Sequence, residues 1–361
     1  MCGIQVGRSP TWNNFCTLLI RIMKLTPILA LGCIVPMWSM AQADSADLYF
    51  QKGIEEKNLR HYLVASRQFD KAVQFNPSFV EAYLENGYVN LEMRRTDQAL
   101  MHFTKVNQLS PTNPVALQQL MQISYDYRQF AKARDYALKC TNCKGADKII
   151  AMSYYHSEDY GNAIKGFSKY LASNPTDADA VYTLARCYLD MEEYKSAVPH
   201  FVKAVALDEQ KSMWAYELGM LYFTLNDYGN AAQNFAKAAA RGYNTNSSDY
   251  IENMGYALIY TGEFEKGEQM LASLIQKRPN DKTLIRDVAD VFYQKKLYDK
   301  SLGYCQQLME MDMQDGKALY LAGLCFQKKG EKEKGQGMCD KAIELDPSLG
   351  RLRSKSMDLG L

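Results

Sequence analysis

Small and large apolar residues recur in this chain at fixed offsets, and the offset is 34 residues. The stretch YELGMLYFTLNDYGNAAQNFAKA (216–238) holds Gly219, Tyr222, Tyr228, Ala231, Phe235 and Ala238. ARCYLDMEEYKSAVPHFVKA (185–204) holds Ala185, Tyr188, Tyr194, Ala197, Phe201 and Ala204, each 34 residues earlier. MSYYHSEDYGNAIKGFSKY (152–170) gives Tyr154, Tyr160, Ala163 and Phe167, earlier by the same step. Prolines keep the period too, from Pro77 to Pro111 and from Pro279 through Met313 to Pro347. A period of this length means a helix–turn–helix unit that cannot bury its own apolar face and stacks on its neighbours. Length alone, at 361 residues, would suggest two domains. A solenoid overrides that prior, because it grows in one dimension with contacts between adjacent repeats.

The pattern of Gly or Ala, aromatic, Ala, Phe, Ala and Pro at these offsets resembles the tetratricopeptide repeat (TPR) family, over roughly residues 46–349. The resemblance implies an all-α fold, an α-solenoid of about nine units in a right-handed superhelix. Units start near 46, 80, 114, 144, 178, 212, 248, 282 and 316, each with a helix A, a tight turn and a helix B. The eighth position is small (Gly53, Gly87, Ala151, Ala185, Gly219, Gly255, Ala289, Gly323) except at Met121. The twentieth is Ala, Gly or Ser throughout, from Ala65 to Gly335. Small residues at both places let helix A and helix B approach closely where they cross. The twenty-fourth position is Phe69, Phe103, Phe167, Phe201 and Phe235, weakening to Leu271, Cys305 and Cys339. Two spacings deviate: the third unit is four residues short and ends in CTNCKG (140–145), and the sixth is two long and ends in RGYNTNSSD (241–249). Pro199 falls inside the fifth helix B, where a proline bends a helix. Residues 350–361 read as a C-terminal capping segment.

The start of the chain has a different build. MKLTPILALGCIVPMWSMAQA (23–43) has a positive start, an apolar core from Leu25 to Trp38 and small residues at Ser39, Ala41 and Ala43. That is the make-up of a secretory signal peptide, here 23–41 with cleavage after Ala41. A membrane-spanning helix is the competing reading, but the apolar run falls short of the roughly 20 residues a bilayer needs and contains Pro27 and Pro36. Residues 1–22 fit neither signal nor repeat and read as a mis-assigned upstream start. The opening MCGI resembles amidotransferases with an N-terminal cysteine nucleophile, yet no domain surrounds Cys2 to supply a base. LALGC (29–33) resembles a lipoprotein cleavage site; soluble export is preferred, and lipidation of Cys33 stays open. The expected location is therefore outside the cytoplasm: periplasmic, or associated with an outer membrane.

Chemistry has few candidates. Basic and acidic residues balance, 42 against 41, which argues against a nucleic-acid partner. No HExxH, phosphate loop or GxSxG occurs, so an enzyme and a cofactor are not expected, nor is a metal site. Cys140 and Cys143 form a CxxC pair, read first as a local disulfide clamping the shortened turn, with redox, zinc and simple thiol roles as alternatives. Cys187, Cys305, Cys325 and Cys339 read as small buried hydrophobes.

Function is expected in the groove. In the TPR family the second, fifth, ninth, twelfth and thirteenth positions of helix A face it. By that resemblance the partner-binding residues are Tyr88, Tyr125, Tyr155, Tyr182, Arg186, Tyr216, Met220, Tyr256, Tyr260, Arg286 and Tyr293, with Phe50, Phe223 and Tyr320 at equivalent places. Such aromatics supply rigid contact area with a polar tip. The Lys–Asn carboxylate clamp of some TPR proteins does not carry over: only Lys57 and Asn58 resemble it, and the next unit has Leu91 and Glu92. The expected activity is a non-catalytic protein–protein interaction scaffold binding a protein or peptide, in envelope assembly or maintenance. The alternative is a glycan- or cell-wall-binding protein, since tyrosines also stack on sugar rings and Asp126, Gln118, Gln122, Glu252, Asp190 and Asp290 lie near them in sequence.

Overall fold

The structure is a computed structural model in which residues 44–351 are described. The upstream segment 1–22, the signal-like segment 23–41 with Cys33, and all but the first two residues of the capping segment lie outside the described residues. Every element described is helical. The chain divides into two compact units between Gly166 and Phe167. The first holds α1 (44–58), α2 (Tyr62–Phe75), α3 (Val80–Glu92), α4 (Thr96–Leu109), α5 (Pro114–Asp126), α6 (Phe130–Lys139) and α7 (Ala146–His156). The division lies in α8 (Tyr160–Ser173). The second holds α9 (Ala178–Asp190), α10 (Tyr194–Leu207), α11 (Ser212–Thr224), α12 (Tyr228–Ala240), α13 (Ser248–Thr261) and α14 (Phe264–Lys277). It continues with α15 (Lys282–Gln294), α16 (Tyr298–Met311), α17 (Gly316–Lys328) and α18 (Lys332–Leu345), and ends on a 3₁₀ turn, Pro347–Leu349.

Boundaries follow from local chemistry. Pro111, Pro175 and Pro279 stand just past the end of a B helix, because proline cannot continue it. Two residues later comes an Asx: Asn113, Asp177 and Asp281 each accept a hydrogen bond from the backbone N–H three residues on, at 3.0–3.1 Å. Ser247 and Asp315 do the same for α13 and α17. Such caps satisfy one of the four orphan N–H groups of each A helix. Between helix A and helix B one residue takes the left-handed conformation: Arg60, Arg94, Arg128, Glu158, Glu192, Asn226 and Lys296 at φ of 57–62°, and Gly262 and Gly330 at 96°. The turn is so tight that the next residue's N–H reaches back five positions, as from Arg95 to the Asn90 carbonyl at 2.8 Å. Helix α10 runs on through Pro199.

Packing within a hairpin rests on the eighth and twenty-fourth positions together. A Cβ on Gly53 would lie 2.5 Å from the Phe69 ring, on Gly87 2.7 Å from Phe103, and on Gly219 2.6 Å from Phe235. The ring lies over the small residue of its own hairpin, and all three rings are fully buried. This refines the sequence expectation: the eighth position is small chiefly to admit the ring, while direct backbone approach appears at Gly267 and Gly335, where a Cβ would meet the Gly255 and Gly323 carbonyls at 2.7 and 2.4 Å. The third hairpin inverts the pair. Met121 is large, Ala137 takes the small place across from it, and both are buried in one cluster. Volume is kept while the sizes swap, which cores tolerate. In the first unit a polar ladder is buried as well: Ser66 donates to Asn86 at 2.7 Å, and Asn86 donates to Asp70 at 2.7 Å.

Substituting Gly219→Val is expected to cost about 1–3 kcal/mol, because the added carbons displace the Phe235 ring; urea unfolding measures it, and a neutral result contradicts this packing. Substituting Glu192→Gly is expected to raise stability by about 0.5–1 kcal/mol, since left-handed strain of roughly 1–2 kcal/mol outweighs the added chain entropy.

Candidate functional site

In the first unit the expected groove tyrosines pack against neighbouring rings. Tyr88 meets the Phe103 ring edge-on at 5.5 Å. Tyr125 packs edge-on to Phe130 at 5.7 Å, and its hydroxyl lies 3.3 Å from His156 Nε2. His156 stacks on Phe130 at 4.4 Å, and Tyr155 leans on both His156 and Tyr160. Lys57, the remnant of the clamp pattern, is paired with Glu85. Cys140 and Cys143 are joined as a disulfide with Cα atoms 5.5 Å apart, in the connector from α6 to α7. Gly145, left-handed at φ 80°, completes that turn. Cys187, Cys305, Cys325 and Cys339 are buried free thiols, and burial pushes Cys187 and Cys305 up to about 12.

In the second unit Tyr182 stacks on Trp214 at 4.5 Å and donates to Glu217 Oε2 at 2.6 Å. Arg186 donates to Glu217 Oε1 at 3.2 Å and lies 3.4 Å from Asp190. Burial, and then the Glu217 hydrogen bond, hold the Tyr182 hydroxyl well above the ordinary phenol range. Tyr216 departs from expectation. It is buried at 8% exposure, stacked on Tyr243 at 4.3 Å, with its hydroxyl accepting from Asn253 at 2.9 Å. Its side chain is core, because the sixth unit's long connector carries Tyr243 over it. Met220 packs half-buried at the margin of the same core. Tyr260 stacks on Tyr228 at 4.0 Å beneath Lys295 Nζ at 4.9 Å. The Tyr256 hydroxyl is buried with no hydrogen-bond partner among the described residues. Burial, followed by Asp287 and Glu252, raises its pKa.

A cleft of about 500 Å³ lies between α15 and α17. Arg286, Asp290 and Tyr293 form one wall; Lys317, Tyr320, Leu321, Leu324, Gln327 and Lys328 form the other, and Leu349 closes it. Eight of these ten residues stand at the second, fifth, ninth, twelfth or thirteenth position of their unit, all but Leu321 and Leu349. Arg286 Nη2 lies 2.7 Å from Asp315 Oδ2, the buried carboxylate that also caps α17. Burial, then Asp287, raises the Asp290 pKa, with Arg286 opposing. The structure thus brings Arg286, Tyr293 and the buried Tyr320 together, and adds Lys317, Leu324 and Lys328. The same position rule applied to charged and aliphatic residues finds all three. Trp214 and Glu217 were missed because they stand at the third and sixth positions. Among the described residues no group of three or more His, Cys, Asp or Glu is arranged to hold a metal, and no helix is long and apolar enough to cross a membrane.

Because Tyr216 is core, Tyr216→Ala is expected to cost about 3–5 kcal/mol. Tyr293→Ser, on the cleft wall, is expected to cost less than half of that. Thermal or urea unfolding of the two variants compares them, and equal losses contradict the assignment of Tyr216 to the core.

A tetratricopeptide repeat model matches residues 316–349, which are α17, α18 and the turn that follows. The model for anaphase-promoting complex, cyclosome, subunit 3 matches residues 156–238. No curated protein matches the chain. Solved structures similar to it include the C-terminal part of a TPR repeat-containing protein from Cytophaga hutchinsonii, at 16% identity and TM-score 0.49, covering 65% of this chain and 98% of that one. Another is YrrB, described as a TPR protein with an unusual peptide-binding site, at 24% identity and TM-score 0.39, covering 53% and 97%. A third is a tetratricopeptide repeat protein from Parabacteroides merdae, at 16% identity and TM-score 0.36, covering 75% and 94%. With a 34-residue period and helices paired into hairpins, the chain carries a tetratricopeptide repeat at 316–349 at the C-terminal end of an array of the same period.

Proposed function

We propose that the chain is a non-catalytic scaffold that holds a protein or peptide partner on the A-helix face of its hairpins, with the α15/α17 cleft as one point of contact. One observation carries this reading. Eight of the cleft's ten lining residues occupy the positions that the repeat resemblance assigns to partner binding. Its chemistry suits a peptide: an apolar floor in Leu321, Leu324 and Leu349 beside the buried Tyr320, the half-buried Tyr293 with its polar tip, and charges at the ends. Most other aromatics of the A-helix face already stack on neighbouring rings. They hold the scaffold together more than they offer open sugar platforms, which favours the peptide reading over the glycan one.

The location proposed is outside the cytoplasm, in the periplasm or at an outer membrane, with a role in assembling or maintaining the cell envelope. The signal-like segment 23–41 supports it, and so does the Cys140–Cys143 disulfide, since such bonds persist in oxidising compartments.

Affinity capture from the native envelope fraction tests the scaffold reading. A specific partner is expected with the wild-type chain and lost with Leu324→Glu, a cleft substitution whose folding is checked by thermal unfolding. If the chain retains isolated cell-wall polysaccharide and no protein, the glycan reading replaces this one.

A further inference from the structure

We propose that the α15/α17 cleft selects peptides carrying two acidic side chains about five extended residues apart, with an apolar side chain between them. This rests on the scaffold reading and names the partner chemistry of that site.

Lys317, Leu321, Leu324 and Lys328 follow one another at i, i+4, i+7 and i+11 along α17. Eleven residues are close to three full turns, so the four form a single stripe with a cation at each end and two leucines in the middle. At about 1.5 Å of rise per residue the two lysines stand roughly 16 Å apart along the axis. Both are exposed and neither makes a contact ion pair among the described residues, although Asp346 lies near enough to Lys317 to feel its charge. Arg286 adds a third cation at the Lys317 end, fixed there by its 2.7 Å pair with Asp315. Its Nε is buried and has no hydrogen-bond partner among the described residues, a donor that folding alone leaves unused.

The spacing decides what fits. One carboxylate cannot reach both lysines, so a terminal carboxylate by itself leaves half the charge unmet. An extended peptide advances about 3.3 Å per residue, so acids five residues apart span the stripe. Between them an apolar side chain meets Leu321, Leu324 and Leu349. On the facing wall Arg286, Asp290 and Tyr293 run at i, i+4 and i+7. Asp290 therefore stands mid-wall, where it repels an acid at the centre and leaves the ends to the acids. Like-charge juxtaposition of this kind sets register and rejects wrong partners.

The test uses the full chain and a fluorescein-labelled, C-terminally amidated nonapeptide with glutamates at its second and seventh positions and leucine at its fourth, followed by fluorescence anisotropy. Saturable binding is expected, weakening as salt is raised. Lys317→Glu or Lys328→Glu is expected to weaken it roughly three- to tenfold, and so is replacing either glutamate of the peptide by glutamine. A peptide with lysines in place of the glutamates is expected not to bind. Absence of binding by the amidated di-acidic peptide overturns the proposal. So does equal affinity for a single-glutamate peptide, or unchanged affinity in both charge-reversed variants. If this peptide fails while Leu324→Glu still abolishes partner capture, acid selection falls and the scaffold reading stands. If capture is also unaffected, both fall.

Discussion

Most of the hairpins depend on a ring or branched side chain passing over a position with little or no side chain of its own. Phe69 over Gly53, Phe103 over Gly87, Phe235 over Gly219 and Leu271 over Gly255 repeat one contact along the chain. The contact is local in sequence, so each hairpin supplies part of its own core, and its neighbours in the stack supply the rest. The left-handed residue at the turn and the Asx cap at the next helix start serve the same end, closing one unit and beginning another within a few residues. Burying one such ring stabilises by about 1.5–3 kcal/mol. A chain whose hairpins repeat this contact needs no long-range pairing to specify its path.

The interlock fixes the eighth and twenty-fourth positions and other A-helix positions are buried beside it, while the second, fifth, ninth, twelfth and thirteenth carry side chains of many kinds. Some of that surface is spent on fastening hairpins to each other, through Tyr182 and Arg186 on Glu217 and Tyr216 under Tyr243. Where α15 and α17 run side by side, the same positions leave a cleft. One repeat thus provides both fastening and an open cleft, and the identity of the side chain decides which.

The fold was legible in the sequence because the interlock is periodic. A period exposes every partner in it, even where Phe weakens to Leu271 or Cys339. Less legible was the third hairpin, where Met121 and Ala137 exchange sizes and each looks like a defect alone. The disulfide of the shortened connector was readable from the CxxC spacing. Tyr216 was misjudged because its burial is decided by Tyr243, on a connector whose extra length hid its register. In the cleft Arg286, Tyr293 and the buried Tyr320 were legible from position, and Lys317, Leu324 and Lys328 stand at the second, ninth and thirteenth positions of the last unit, where the same rule reaches them. Leu349 reaches the cleft from beyond helix B, and no helical periodicity announces it.

The central claim is that the partner lies on the A-helix face. A photo-crosslinking side chain placed at Leu324, inside the cleft, and separately at Lys341, exposed on α18, puts that face and the opposite helix to one comparison. The expected result is a partner adduct from position 324 and none from position 341. Adducts from position 341 alone would place the partner on the B helices and contradict the assignment of the cleft.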